Sequence, residues 1–157
     1  PLLLFSIQSK NNLMNLTNIE DSNILNITSI ECFNKLLEIS NSYLIDVRTK
    51  PEWEFIGVPD LSLLNKKTIF ISWLMYPEMK INSLFQNQLI KSNIKQNDKL
   101  FLICRSGNRS LQAARFLFSF GYLHCFNISD GFEGDKNNLN QRSTINGWKY
   151  NNLPWKQ

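Results

Sequence analysis

Residues 99–121 read KLFLICRSGNRSLQAARFLFSFG, and the order of residue types spells strand, tight loop, helix. Residues 99–103 form a short, mostly apolar run suited to a buried strand. Residues 104–109 make a polar loop with Gly107 within it. From Ser110 onward Leu111, Ala114, Arg115 (through its stem), Leu117 and Phe118 follow helical spacing, and Gly121 falls where a glycine closes a helix. Strands alternate with helical patterns along the rest of the chain, which predicts an α/β fold around a mainly parallel sheet. In such sheets the loops at the C-terminal ends of the strands hold the ligand.

Cys104 opens that loop. A thiol there meets backbone N–H groups and the positive end of the following helix, and both favour an anion at sulfur. Arg105 and Arg109 add two positive charges, and Gly107 permits the positive φ that turns successive N–H groups inward as a nest. Cys104 is therefore the candidate nucleophile. Arg105, Ser106, Gly107, Asn108, Arg109 and Ser110 form its expected anion-binding surround, with Ser106 and Ser110 as hydroxyl donors. The competing reading is an inert buried thiol at a strand end. Two arginines, a glycine and a helix start around one sulfur weigh against it.

Composition bounds the rest. At 157 residues the chain is long enough for one domain with a real core. Its three cysteines form no CxxC pair and its single histidine, His124, stands alone, so no disulfide framework, metal site or cofactor is expected, and a reducing cytoplasm is. The net charge of +4 is mild and dispersed, which suits a small anionic substrate and not nucleic acid. Abundant Asn, Ile and Lys reflect genome composition. Residues 1–7, PLLLFSI, are too short to span a membrane and lack the flanks of a signal peptide. Met14 offers an alternative start, so residues 1–23 are expected to be an N-terminal extension ahead of a domain over 24–157.

Along the domain, residues 24–27 predict an edge strand, and Thr28-Ser29-Ile30-Glu31 a capping box opening a helix that buries Ile30, Phe33, Leu36 and Leu37. Residues 43–47, YLIDV, predict an interior strand that delivers Asp46 and Arg48 to its C-terminal end, with Pro51 in the first turn of a short helix. Residues 68–72 predict a strand, followed by a loop in which Trp73, Met75, Tyr76 and Pro77 could rim the site or simply pack. Residues 83–92 predict a helix burying Leu84, Phe85, Leu89 and Ile90, and residues 125–128 a last strand.

The loop Cys104-Arg105-Ser106-Gly107-Asn108-Arg109-Ser110, together with Asp46-Val47-Arg48 and Pro51-Glu52-Trp53-Glu54, resembles the single-domain rhodaneses of bacteria, which are sulfurtransferases. The resemblance spans about residues 24–155 and implies a three-layer sandwich with helices on both faces of the sheet. Loop length discriminates within that fold. In its sulfurtransferases the Arg lies five positions after the Cys, as Arg109 does here, whereas the related phosphatases have a loop one residue longer. By the same resemblance Asp46, Arg48 and Glu52 brace the loop through ion pairs, Phe132 and Glu133 border the pocket, and residues 145–155 form a closing helix whose tryptophans dock on the core. Gly57-Val58-Pro59-Asp60 departs from the family's usual Gly-His-Ile run, which leaves sulfur transfer untouched because loop amides, not a base, activate the thiol.

The resemblance implies a Cys104 persulfide, loaded from a small anionic donor such as thiosulfate and unloaded to cyanide, a thiol or a protein that donates or accepts persulfide. Two alternatives remain at this level. One is a non-catalytic binding or sulfur-carrier module. The other is a phosphatase or arsenate reductase of the same fold, disfavoured by the short loop.

Overall fold

The computed structural model describes residues 24–157; the expected extension over 1–23, with Met14, lies outside them. Strand β1 (Leu25–Ile27) passes into helix α1 (Ser29–Glu38) through the expected capping box, in which Thr28 N–H donates to Glu31 Oε2 at 2.7 Å and Glu31 N–H to Thr28 Oγ1 at 3.2 Å. Strand β2 (Ser42–Asp46), helix α2 (Lys50–Phe55) and the short strand β3 (Val58–Pro59) follow. Next come β4 (Ile69–Phe70), the hairpin of β5 (Leu74–Met75) and β6 (Lys80–Ile81), and helix α3 (Phe85–Lys91). Then β7 (Lys99–Ile103) leads into α4 (Asn108–Ser119), β8 (Cys125–Ile128) and β9 (Trp155–Lys156).

Five strands form the central sheet in the order β1-β8-β7-β2-β4, and every pairing in it is parallel. Successive residues of a strand face opposite sides, so strands that are apolar throughout need a layer on each face. Ile45, Leu100 and Leu102 pack on one side with Phe85 and Leu89 of α3 and Ala113, Ala114 and Leu117 of α4. Leu44, Phe101 and Ile103 pack on the other with Cys32 and Leu36 of α1, Phe132 and Trp148. This is the three-layer α/β sandwich expected from the sequence, with β1 at one edge.

Several local expectations are corrected. In α1 the buried residues are Ser29, Cys32 and Leu36, while Ile30 and Leu37 are exposed. The cause is polar: Ser29 N–H and Oγ–H both donate to Asp130, at 2.8 and 2.7 Å, which seats Ser29 inward and rolls Ile30 out. In α3 only Phe85 and Leu89 are buried, because a seven-residue helix buries one i, i+4 pair; Leu84 and Ile90 face outward. The strand expected over 68–72 narrows to Ile69–Phe70. Helix α4 starts two residues earlier than Ser110, because Gly107 adopts φ +102° as its N-cap.

Residues 145–155 form turns and β9 in place of a closing helix. Their backbone bonds are split between another loop and isolated turns: Trp148 N–H donates to Gly131 O and Lys149 N–H to Phe132 O, while Asn151 N–H returns to Gly147 O and Leu153 N–H to Trp148 O. Gly147, at φ +104°, makes that close approach, and a Cβ there would sit 2.7 Å from Gly134 N. Trp148 is fully buried, as a docked tryptophan should be, while Trp155 pairs with β3 and stays 41 % exposed.

Candidate active site

Strand β7 ends at Ile103 and places Cys104 where the sheet meets the N-terminus of α4. Gly107 N–H donates to Cys104 Sγ at 3.1 Å, and Ser110 Oγ lies 3.1 Å from the same sulfur. The sulfur is thus met by one amide and one hydroxyl, a smaller set than the ring of amides expected. By the geometry of any helix start, the N–H groups of Asn108, Arg109 and Ser110 have no carbonyl inside the helix to bond, so they add positive potential at the loop. The arrangement stabilises negative charge on sulfur.

The loop is held from behind by residues 129–134. Phe132 N–H donates to Cys104 O at 2.8 Å, and Glu133 and Gly134 N–H donate to Arg105 O at 3.0 and 3.2 Å. The two segments approach so closely that only glycine fits at two points. A Cβ on Gly107 would lie 2.5 Å from Ser129 O, and one on Gly131 would collide with Arg105 O. Phe132 and Glu133, expected beside the pocket, therefore form the backing of the loop.

The expected braces divide into two units. Glu52 binds Arg109 in a two-pronged ion pair, with Arg109 Nη2 to Glu52 Oε1 at 2.7 Å and Nη1 to Oε2 at 2.8 Å. Thr49 N–H and Oγ1–H donate to Glu52 Oε2 as well, at 2.9 and 2.8 Å. Burial by itself would push the Glu52 carboxyl up; Arg109 and Thr49 together outweigh it and hold it lowered, to about 2. Arg109 thus ties α4 to α2 and also lines the pocket beside Cys104.

Asp46 and Arg48 make the second unit, fully buried and paired at 2.7 Å. Arg48 Nη2 also donates to Gly57 O at 2.7 Å, and its guanidinium lies 4.1 Å from the Phe132 ring centroid. Their support of the loop runs through Phe132 and not through an ion pair to the loop itself.

The loop opens on a pocket of about 520 Å³. Cys104, Arg105, Ser106, Asn108 and Arg109 line it together with Thr49, Pro51 and Glu52 of the α2 start. Tyr76, Pro77 and Met79 of the β5–β6 hairpin complete the wall, so Tyr76 and Pro77 do reach the rim. Trp73 instead packs edge-on against Phe85 in the core, 1 % exposed, with Nε1–H donating to Gln112 Oε1. Gly107 and Ser110 sit beneath the sulfur, outside the pocket lining.

Asn127 is the site residue that the sequence reading missed. It accepts from Ser110 Oγ–H at 2.6 Å and is 3 % exposed. The available signal was an asparagine inside the otherwise apolar strand CFNI, since a buried polar side chain needs a partner.

The other two thiols are of a different kind. Burial, reinforced by Asp130, pushes the Cys32 thiol well up, and burial pushes Cys125 up to about 12. Both stay protonated inside the core. Among the described residues no group of three or more His, Cys, Asp or Glu could hold a metal ion, and no helix is long and apolar enough to cross a membrane.

Residues 24–157 match the family model described as STR4 middle domain. An uncharacterized protein of Rickettsia conorii is 42 % identical over 128 residues, covering 81 % of this chain and 93 % of that protein. Among solved structures, Rv0390 of M. tuberculosis superposes with a TM-score of 0.77 at 34 % identity, over 84 % of this chain and 96 % of its own. A rhodanese-like domain protein from Staphylococcus aureus superposes with a TM-score of 0.51 at 23 % identity, over 69 % of this chain and 87 % of its own. The fold is rhodanese-like; the family whose model the chain matches is the STR4 middle domain, not the bacterial single-domain type named by the sequence reading.

Proposed function

The chain belongs to the STR4 middle-domain family and carries a rhodanese-like fold, and from these premises and its site geometry we propose that it is a sulfurtransferase working through a Cys104 persulfide. The observation that carries this reading is the setting of Cys104 Sγ at a pocket wall, between Gly107 N–H and Ser110 Oγ. The Cys104 thiolate attacks the sulfane sulfur of a donor such as thiosulfate or a persulfide. The donor's S–S bond breaks, sulfite or a thiolate leaves with the electron pair, and a persulfide anion remains on Cys104. A thiophilic acceptor (cyanide in the test tube, a thiol or protein in the cytoplasm) then takes that sulfur and restores the thiolate. This is two-step covalent catalysis with ping-pong kinetics.

The residues divide the work. Gly107 N–H, Ser110 and the α4 start stabilise the sulfur anion as an oxyanion hole stabilises oxygen. Arg105 has an exposed side chain at the pocket and draws the anionic donor in. Arg109, tied to Glu52, holds the loop in shape.

The test is turnover of thiosulfate and of an alkyl persulfide with cyanide as acceptor, for the natural chain and for Cys104→Ser. The expected result is thiocyanate production that Cys104→Ser abolishes. Turnover that survives in Cys104→Ser would overturn the assignment. No turnover with either donor, with persulfide formation also absent, would favour the binding-module reading.

A further inference from the structure

Ser110 has one hydroxyl hydrogen and two buried neighbours that can accept it. Its Oγ lies 3.1 Å from Cys104 Sγ and 2.6 Å from Asn127 Oδ1, and all three residues are at most 3 % exposed. When Cys104 is a neutral thiol the hydrogens are consistently placed. Sγ–H donates to Ser110 Oγ, Ser110 Oγ–H to Asn127 Oδ1, and Asn127 Nδ2–H to Asn26 Oδ1 at 2.9 Å. When the sulfur is an anion it must receive a hydrogen instead. If Ser110 turns toward it, Ser110 Oγ and Asn127 Oδ1 are left as two facing acceptors, which a buried site tolerates poorly.

The amide has a second setting that removes the conflict. Its oxygen and nitrogen ends are nearly the same size, so a half-turn presents Nδ2–H to Ser110 Oγ and Oδ1 to Asn26. Asn26 lies on the edge strand β1 and is exposed, so it can turn its own amide to donate to Asn127 Oδ1. Every group is then paired again, with each donor reversed.

We propose that Ser110, Asn127 and Asn26 form a hydrogen-bond relay with two settings, one matched to the neutral thiol and one to the sulfur anion. Asn127 is the positioning residue that lets Ser110 donate to sulfur, and Asn26 is the solvent-side end that must turn with it. The relay rests on Cys104 being the working sulfur of the proposed transfer. The charged groups around that sulfur are Arg105 in the loop, Arg109 in α4, Glu52 in α2 and the Asp46–Arg48 pair at the end of β2, while Asp130 after β8 is bonded to Ser29. The exchange of settings changes the charge of none of them.

The experiment is the pH profile of Cys104 alkylation by iodoacetamide, followed by peptide mass, in the full chain. Asn26→Asp offers only acceptors at the solvent end, so it locks Asn127 in the thiol setting. Its profile should move to higher pH, with alkylation near neutrality slowed about fivefold, the worth of one net hydrogen bond. Asn26→Leu leaves Asn127 free to turn and should follow the natural chain. High salt should leave the Asn26→Asp shift in place, because it screens an exposed charge and not a lock. Ser110→Ala removes the donor itself and should move the profile up, with Ser110→Thr restoring it.

Identical profiles for Asn26→Asp and Asn26→Leu, a shift that salt abolishes, or no shift in Ser110→Ala would each overturn the relay. The same proteins assayed for sulfur transfer separate the two proposals. Turnover with no Asn26→Asp shift refutes the relay alone, and a shift in a chain that takes up no sulfur refutes the transfer alone.

Discussion

The Glu52–Arg109 pair is where structure and chemistry meet most measurably, because one carboxylate joins α2 to the helix that carries the loop. A carboxyl held at about 2 instead of its ordinary 4.5 is favoured as the anion in the folded chain by about 3 kcal/mol. Its side chain is 19 % exposed, so solvent screening reduces that, and Glu52→Gln should cost about 2 kcal/mol at neutral pH. The sign of the pH dependence follows from the direction of the shift. A carboxyl lowered on folding contributes fully above about 4.5, and its contribution is lost as pH falls toward about 2. Urea unfolding of both proteins at neutral pH, and in steps down to about pH 2.5, isolates the effect as a difference that cancels the other carboxylates. The gap should be widest near neutrality and close across that acid window. A gap under about 0.5 kcal/mol at neutral pH, or one that stays constant into acid, would refute the reasoning.

Two further outcomes are expected. Asp46→Asn keeps an acceptor for Arg48 but leaves its buried guanidinium without a counter-charge, and should destabilise by about 3–5 kcal/mol in urea unfolding; a loss under about 1 kcal/mol would contradict the buried ion pair. Arg105→Ala should raise KM for thiosulfate about tenfold while kcat changes little, since an exposed cation that draws in the donor acts before the chemistry; the reverse pattern would place Arg105 in the transition state.

The strand–loop–helix unit around Cys104 was legible in the sequence because each part has its own local signal. Residues 99–103 are apolar, Gly107 allows φ +102°, and Gly121 ends the helix at φ +93°. The capping box at Thr28 was equally legible, being a side-chain exchange across three residues. The features that escaped depend on partners distant in the chain. Ser29 turns inward for Asp130, about a hundred residues away, and takes the face of α1 with it. Residues 145–155 look helical in isolation, but Trp148 and Lys149 give their N–H groups to Gly131 O and Phe132 O. That Arg109 is the partner of Glu52 shows only once the two helices that carry them are side by side. Asn127 acquires meaning only once β8 is laid beside the start of α4.

The most direct measurement of the central claim is the intact mass of the reduced chain before and after brief exposure to thiosulfate or an alkyl persulfide, and again after cyanide. The expected result is a gain of one sulfur atom that maps to Cys104, disappears with cyanide as thiocyanate, and is absent in Cys104→Ser. Sulfur found on Cys32 or Cys125, or no gain from either donor, would contradict it.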